Sequence, residues 1–228
     1  MNQVALHVRP MRFRLSEVTL HGELSVPPSA QGLVIFVHGS GSSRFSPRNQ
    51  SVARYFNERG LATLLFDLLG EDEQRIDDIT REFRFDIPLL VRRLVQVVDQ
   101  VATDSDVLSL GIGLFGASTG AAAALIATAE RPVQVKAVVS RGGRVDLADS
   151  VLPQVMSPTL LIVGGEDDEV LALNRASSGL LACEQQLAVV QGATHLFEEP
   201  GALEQVAKLS ADWFLEHLAP SPVPSTSP

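Results

Sequence analysis

Ser118 stands at the centre of Gly116-Ala117-Ser118-Thr119-Gly120, a Gly-x-Ser-x-Gly pattern with an apolar run before it and four alanines, Ala121 to Ala124, after it. That order reads as strand, tight turn, helix. A strand turning straight into a helix leaves no room for side chains beside the serine, hence the flanking glycines, and the serine is forced onto a sharp elbow with its hydroxyl exposed. A serine hydroxyl is a weak nucleophile and needs a base that takes its proton and returns it near neutral pH, which makes histidine the residue to look for. Five histidines are present. His7 and His21 lie in the N-terminal region, His38 precedes a glycine-rich turn, and His217 lies beside the C-terminal tail. His195 alone follows a late apolar strand, in Gly192-Ala193-Thr194-His195. A carboxylate to orient that histidine should follow an intermediate strand. Asp167 does so, after Leu160-Leu161-Ile162-Val163-Gly164-Gly165, with Glu166 and Asp168 as neighbouring alternatives. The order Ser, Asp, His is the one expected for a nucleophile on such an elbow.

Charge that develops on a substrate carbonyl oxygen needs two N–H donors. One is the residue after the nucleophile, Thr119, at a helix start where N–H groups lack partners. The other is expected from the turn His38-Gly39-Ser40-Gly41, with Ser40 favoured and Gly41 the alternative. A phosphate-loop reading of this turn fails because no Gly-Lys-Ser/Thr follows. A dinucleotide reading of Gly111, Gly113 and Gly116 fails because the first two lie inside the apolar run rather than after it. Arg44 and Arg48 after the turn, and Arg141 and Arg144 around Gly142-Gly143, could hold a substrate carboxylate or phosphate, or could pair with the acidic loops.

The elements that must position these residues follow from periodicity. Arg12 to Leu15 and Val18 to Val26 read as an antiparallel opening pair. Leu33 to Val37, Leu61 to Phe66, Leu108 to Phe115, Val133 to Ser140, Thr159 to Val163 and Leu187 to Val190 read as further strands. Pro47 to Arg59, Phe85 to Val101, Ser118 to Ala129, Val170 to Leu181 and Ala202 to Leu218 read as helices, and the acidic stretch Gly70 to Arg81 as a loop. Alternating strands and helices predict an α/β fold with a mostly parallel sheet, in which chemistry sits at the carboxyl ends of the strands. Residues 1–218 are expected to form one domain, and 219–228, rich in Pro and Ser, a disordered tail.

Composition narrows the function. With 45% hydrophobic and 20% charged residues the chain is an ordinary globular protein, and its net charge of −9 argues against nucleic acid and anionic membrane partners. Arg9, Arg12 and Arg14 break the N-terminal apolar residues, so no secretion signal is expected. Val107 to Ala129 is uncharged and long enough to span a membrane, but its Gly, Ser and Thr pattern fits a central strand and a buried helix better. One cysteine, Cys183, permits no internal disulfide and fits a reducing, cytoplasmic setting.

Residues 12–218 resemble the α/β-hydrolase superfamily, and within it the small lid-less serine esterases of the dienelactone-hydrolase-like group. The resemblance is carried by His-Gly-Ser-Gly at 38–41, Gly-Ala-Ser-Thr-Gly at 116–120, Gly-Gly-Glu-Asp at 164–167 and Gly-Ala-Thr-His at 192–195. Phe66-Asp67 also matches an Asp that holds loops in this superfamily. Dienelactone hydrolases carry a cysteine nucleophile where this chain has Ser118, which favours ordinary carboxyl esters. The resemblance implies no cofactor and no metal. It implies a carboxylesterase acting on small or short-acyl esters, because fewer than about twenty residues separate the strands around Ser140 and Thr159, too few for a helical cap. The long Asp67 to Phe83 stretch could instead fold over the site. The alternatives are a thioesterase, amidase or peptidase with the same machinery, or a non-catalytic ligand-binding module.

Overall fold

Runs rich in Val, Ile, Leu and Phe suit strands buried on both faces, and such runs make most of the six-stranded parallel body of the sheet. The computed structural model describes residues 5–219. Its strands are β1 (His7–Arg14), β2 (Thr19–Val26), β3 (Leu33–Val37), β4 (Ala62–Phe66), β5 (Ile112–Ala117), β6 (Val135–Arg141), β7 (Thr159–Gly164) and β8 (Gln185–Val190). They form one sheet in the order β1-β2-β4-β3-β5-β6-β7-β8, with β1 and β2 antiparallel and β3 to β8 parallel to one another. The opening hairpin begins earlier than the pattern indicated, at His7, because β1 is an edge strand whose exposed face carries polar residues.

The helices are α1 (Pro47–Glu58), α2 (Glu71–Thr80), α3 (Ile87–Val101), α4 (Thr119–Glu130), α5 (Asp168–Ser178) and α6 (Ala202–Leu218). α1 and α6 cover one face of the sheet. Their contact is aromatic, with Phe56 packed against Phe36, Phe115 and Phe214 at centroid separations of 5.6–5.8 Å. α3 and α4 cover the other face with Leu90, Leu94, Val97 and Val98 against Ala122 to Leu125. The alanines of α4 let it lie close to the central strand, and all four are fully buried. Two 3-10 turns, Val145–Ala148 and Leu152–Gln154, connect β6 to β7, so no cap is inserted there. The proposed tail at 219–228 lies, beyond residue 219, outside the described residues.

The acidic stretch expected as a loop is instead α2. Acidic residues favour the first turn of a helix, and Glu71, Asp72 and Glu73 occupy it. Glu73 reaches back to accept from the Gly70 N–H at 2.8 Å. The signal missing from the local pattern is supplied from elsewhere in the chain. Arg93 on α3, itself buried, donates to Glu73 at 2.5 and 2.9 Å and to the Leu68 carbonyl at 2.9 Å. Asp77, fully buried, accepts from the backbone N–H of Phe83 and Arg84 at 2.9 and 3.0 Å and from Arg84 Nε at 2.6 Å. Burial pushes the Asp77 carboxyl up, but the Arg84 and Phe83 donors outweigh it and hold it below the usual carboxylate range.

Asp77→Asn is expected to destabilise the fold by roughly 1–3 kcal/mol at pH 7, measured by urea unfolding, because it loosens the Arg84 anchorage. The gap to wild type should be full above the ordinary Asp value of about 3.9. It should close as pH falls through the lower value of the folded state, since a protonated Asp77 no longer differs in charge from Asn.

Candidate active site

The elbow predicted at Ser118 is present and strained. Ser118 has φ 51° and ψ −122°, a conformation that costs a non-glycine residue on the order of 1–3 kcal/mol. Three backbone hydrogen bonds hold it there. Its N–H donates to the Arg141 carbonyl at 3.2 Å, and its carbonyl accepts from the N–H of Arg144 and of Ala121, each at 3.1 Å, so the end of β6 and the residues just after it bracket Ser118 on both sides. Gly120 is required by close approach: a Cβ there would stand 2.2 Å from the Val37 carbonyl oxygen.

His195 and Asp167 arrive from the loops after β8 and β7. Asp167 is the residue preceding α5, and its Oδ2 lies 2.6 Å from His195 Nδ1. The two loops are tied by the Glu166 N–H, which donates to the Ala193 carbonyl at 2.9 Å. Among the three acidic neighbours Asp167 alone is in contact with the histidine. Gly142, at φ 53°, lies against the imidazole, where a Cβ would be 3.4 Å from Nδ1 and Cε1. His38 is placed differently. It is buried, its Nε2 accepts from the Leu68 N–H at 3.0 Å, and its Nδ1 donates to the Gly39 carbonyl at 3.0 Å. Burial lowers its pKa, so it stays neutral and pins the turn after β3 to the end of β4.

Ser118 and His195 share the walls of one cleft of about 230 Å³ with Gly39, Ser40, Ser42, Arg48, Ala117, Arg141 and Leu196. No hydrogen bond joins the Ser118 hydroxyl to His195 among the described residues. Of the expected oxyanion donors, the Thr119 N–H has no acceptor among the described residues. The Ser40 N–H is already engaged, donating to the Thr119 hydroxyl at 3.0 Å. Gly41, with φ 69°, is absent from the cleft wall and faces the Arg84 guanidinium on the far side of the turn.

The four arginines divide. Arg44 is bound to Asp67 through its guanidinium and its own N–H, the latter at 2.7 Å, which makes Asp67 a clamp on the turn. Arg144 forms a two-pronged pair with Asp146 at 2.8 and 2.9 Å. These two are spent on carboxylates and do not line the cleft, which the sequence could not show because it does not tell which acidic residue each reaches. Arg48 and Arg141 face the cleft, joined by Ser42 and Leu196, which nothing in the sequence pattern singled out. Burial, and then the charge of Arg48, lower Arg141 to about 10. The described residues contain no cluster of metal-ligating side chains.

A dienelactone hydrolase from Anabaena variabilis, known from its crystal structure, is 52% identical to the chain and superposes with a TM-score of 0.92, covering 93% of this chain and 99% of that one. The chain belongs to the dienelactone-hydrolase-like group of the α/β-hydrolase superfamily. An α/β hydrolase of a Penicillium species, GrgF, shares the fold at 15% identity and a TM-score of 0.79, over 93% of this chain and 99% of that one. Two Mycobacterium tuberculosis proteins, one from each of two strains, are 55% identical over 208 residues and carry the proposed name phosphoribosyl transferase. The match takes in 91% of this chain but 46% of theirs, so the chain spans about half the length of the curated relatives it matches. No protein-family model matches. The kinship supports a hydrolase, and no described helix is long and apolar enough to cross a membrane.

Gly142→Ala is expected to lower stability by about 1–2 kcal/mol in urea unfolding, the cost of a Cβ in the left-handed region. Its methyl group would meet the imidazole at ordinary van der Waals distance, so any hydrolase activity should fall no more than the stability loss accounts for.

Proposed function

We propose that the protein is a serine carboxylesterase, with Ser118 as nucleophile, His195 as general base and acid, and Asp167 as the group that orients the imidazole. The observation that carries this reading is the 2.6 Å contact of Asp167 with His195 Nδ1, in a cleft whose opposite wall is the strained Ser118 elbow. With Nδ1–H donating to Asp167, Nε2 carries the free lone pair. It takes the Ser118 proton as Oγ attacks the ester carbonyl, then gives that proton to the leaving alcohol. Water, deprotonated by the same nitrogen, releases the acid. A Ser–His contact that is open in the free protein closes in the substrate complex.

A binding module would need neither the elbow strain nor the paired histidine, which favours an enzyme. A thioesterase, amidase or peptidase would use the same groups, but an uncapped cleft of about 230 Å³ favours small or short-acyl esters. A cytoplasmic setting fits Cys183, whose thiol is pushed up by burial and so kept protonated. No cofactor is needed for this chemistry. The longer relatives named for phosphoribosyl transfer suggest that the hydrolase unit works beside a transferase and meets a phosphoribosyl-bearing compound.

Fluorophosphonate labelling is expected at Ser118. Ser118→Ala should lose at least about a hundredfold in kcat on p-nitrophenyl butyrate while remaining folded. Asp167→Asn should lose on the order of 10⁴-fold, as triads do when the imidazole takes the wrong tautomer, and Asp168→Asn far less. Unlabelled Ser118, or equal losses at 167 and 168, would reject the assignment.

The Thr119 hydroxyl competes with the oxyanion for the Ser40 N–H. A Thr side chain in a helix has two accessible χ1 rotamers, so the hydroxyl can leave at modest cost. Thr119→Val keeps the shape and removes the competing acceptor. A neutral hydrogen bond is worth about 0.5–1.5 kcal/mol, so kcat should rise by roughly two- to tenfold, and a fall would show that the hydroxyl positions the turn instead.

A further inference from the structure

Arg141 is a half-buried cation beside Ser118, and among the described residues it has no carboxylate partner. Its guanidinium packs over the Phe115 ring at 5.8 Å, and its Nη1 is buried without a hydrogen-bond partner. Arg48, on the same cleft wall, has an Nε in the same condition. Its one carboxylate contact, Arg48 Nη1 to Glu198 at 3.0 Å, lies at the exposed outer side. Two like charges side by side with unspent donors repel each other and cost desolvation, unless an anion joins them. The arginines that serve the fold, Arg44, Arg84, Arg93 and Arg144, each hold an acidic side chain, as Arg48 does at its outer end, whereas Arg141 holds none among the described residues.

We propose that Arg141 and Arg48 form a subsite that binds a phosphate group carried by the ester substrate, with the scissile carbonyl then at Ser118. The proposal rests on the esterase reading for the position of the carbonyl, but the anion site stands on its own residues. Phosphate fits better than carboxylate. A carboxylate would be satisfied by the parallel fork of one guanidinium, whereas here two guanidiniums from separate side chains stand on one cleft wall. The Ser40 and Ser42 hydroxyls on the same wall add further donors around a tetrahedral group with three free oxygens. A dianion also matches two cations, of which only the outer one has a counter-charge.

Calorimetric titration of the full chain with inorganic phosphate, at constant ionic strength, tests this without relying on catalysis. Wild type should bind phosphate. Arg141→Gln should weaken binding at least about tenfold, since a charged hydrogen bond is lost, and Arg48→Gln should weaken it several-fold. Arg92→Gln, an exposed change on α3, should leave it as in wild type. If Arg141→Gln does not fold, the Arg48→Gln result decides. Absence of phosphate binding, or binding indifferent to both cleft arginines, overturns the proposal. Acetate or succinate binding more tightly than phosphate also overturns it. Phosphate should further act as a competitive inhibitor of p-nitrophenyl butyrate hydrolysis. Arginine-dependent phosphate binding in a chain that hydrolyses no ester upholds the subsite and rejects the esterase reading. Ester hydrolysis with no phosphate binding does the reverse.

Discussion

The strained backbone of Ser118 is the constraint on which the rest of this site depends. Left-handed geometry at a serine does not persist by itself, and the end of β6 supplies what keeps it, accepting from the Ser118 N–H through Arg141 and donating to its carbonyl through Arg144. The same segment continues into Gly142, which backs the His195 ring, and presents the Arg141 side chain to the cleft. Nucleophile geometry, imidazole placement and the cleft's charge therefore share one stretch of four residues. β6 in turn is fixed between β5 and β7, and five of its seven residues are buried, so its position is set by the core and not by the loop.

On the opposite side of the elbow, the turn after β3 is held by groups that do no chemistry. His38 ties it to Leu68, and Asp67 grips Arg44. Arg84, anchored by buried Asp77, lies over Gly41. The helix α2, locked by Arg93 and Arg84, stands where a mobile lid could have been, and its ion pairs keep it against the body of the protein. An open cleft follows from this arrangement. A short β6 to β7 connection adds nothing above the site, and the only long insertion is fastened at both ends.

Electrostatically the cleft is divided. Asp167 faces the histidine, and Arg48 and Arg141 line the cleft beside Ser118, so the carboxylate and the guanidiniums lie on different parts of the site. A desolvated guanidinium is costly unless it is used, and its placement beside a nucleophile is where that cost can return as selectivity.

Much of this was fixed in the amino-acid order. The apolar runs specify buried parallel strands, and the elbow glycines, the alanines of α4 and the Ser, Asp, His order follow from local sterics and strand-end chemistry, so the fold and the three candidate side chains are legible without coordinates. Only the tertiary structure could choose Asp167 over its neighbours, because that choice depends on which carboxylate the β7 loop turns toward His195. Helix α2 was hidden for the same reason: its acidic residues look like a solvated loop until Arg84 and Arg93, distant in sequence, neutralise them. The arginines differ by partner and not by type. Arg44 and Arg144 are indistinguishable from Arg48 and Arg141 in the sequence, and only packing decides which guanidiniums are held away from the cleft by a carboxylate and which line it.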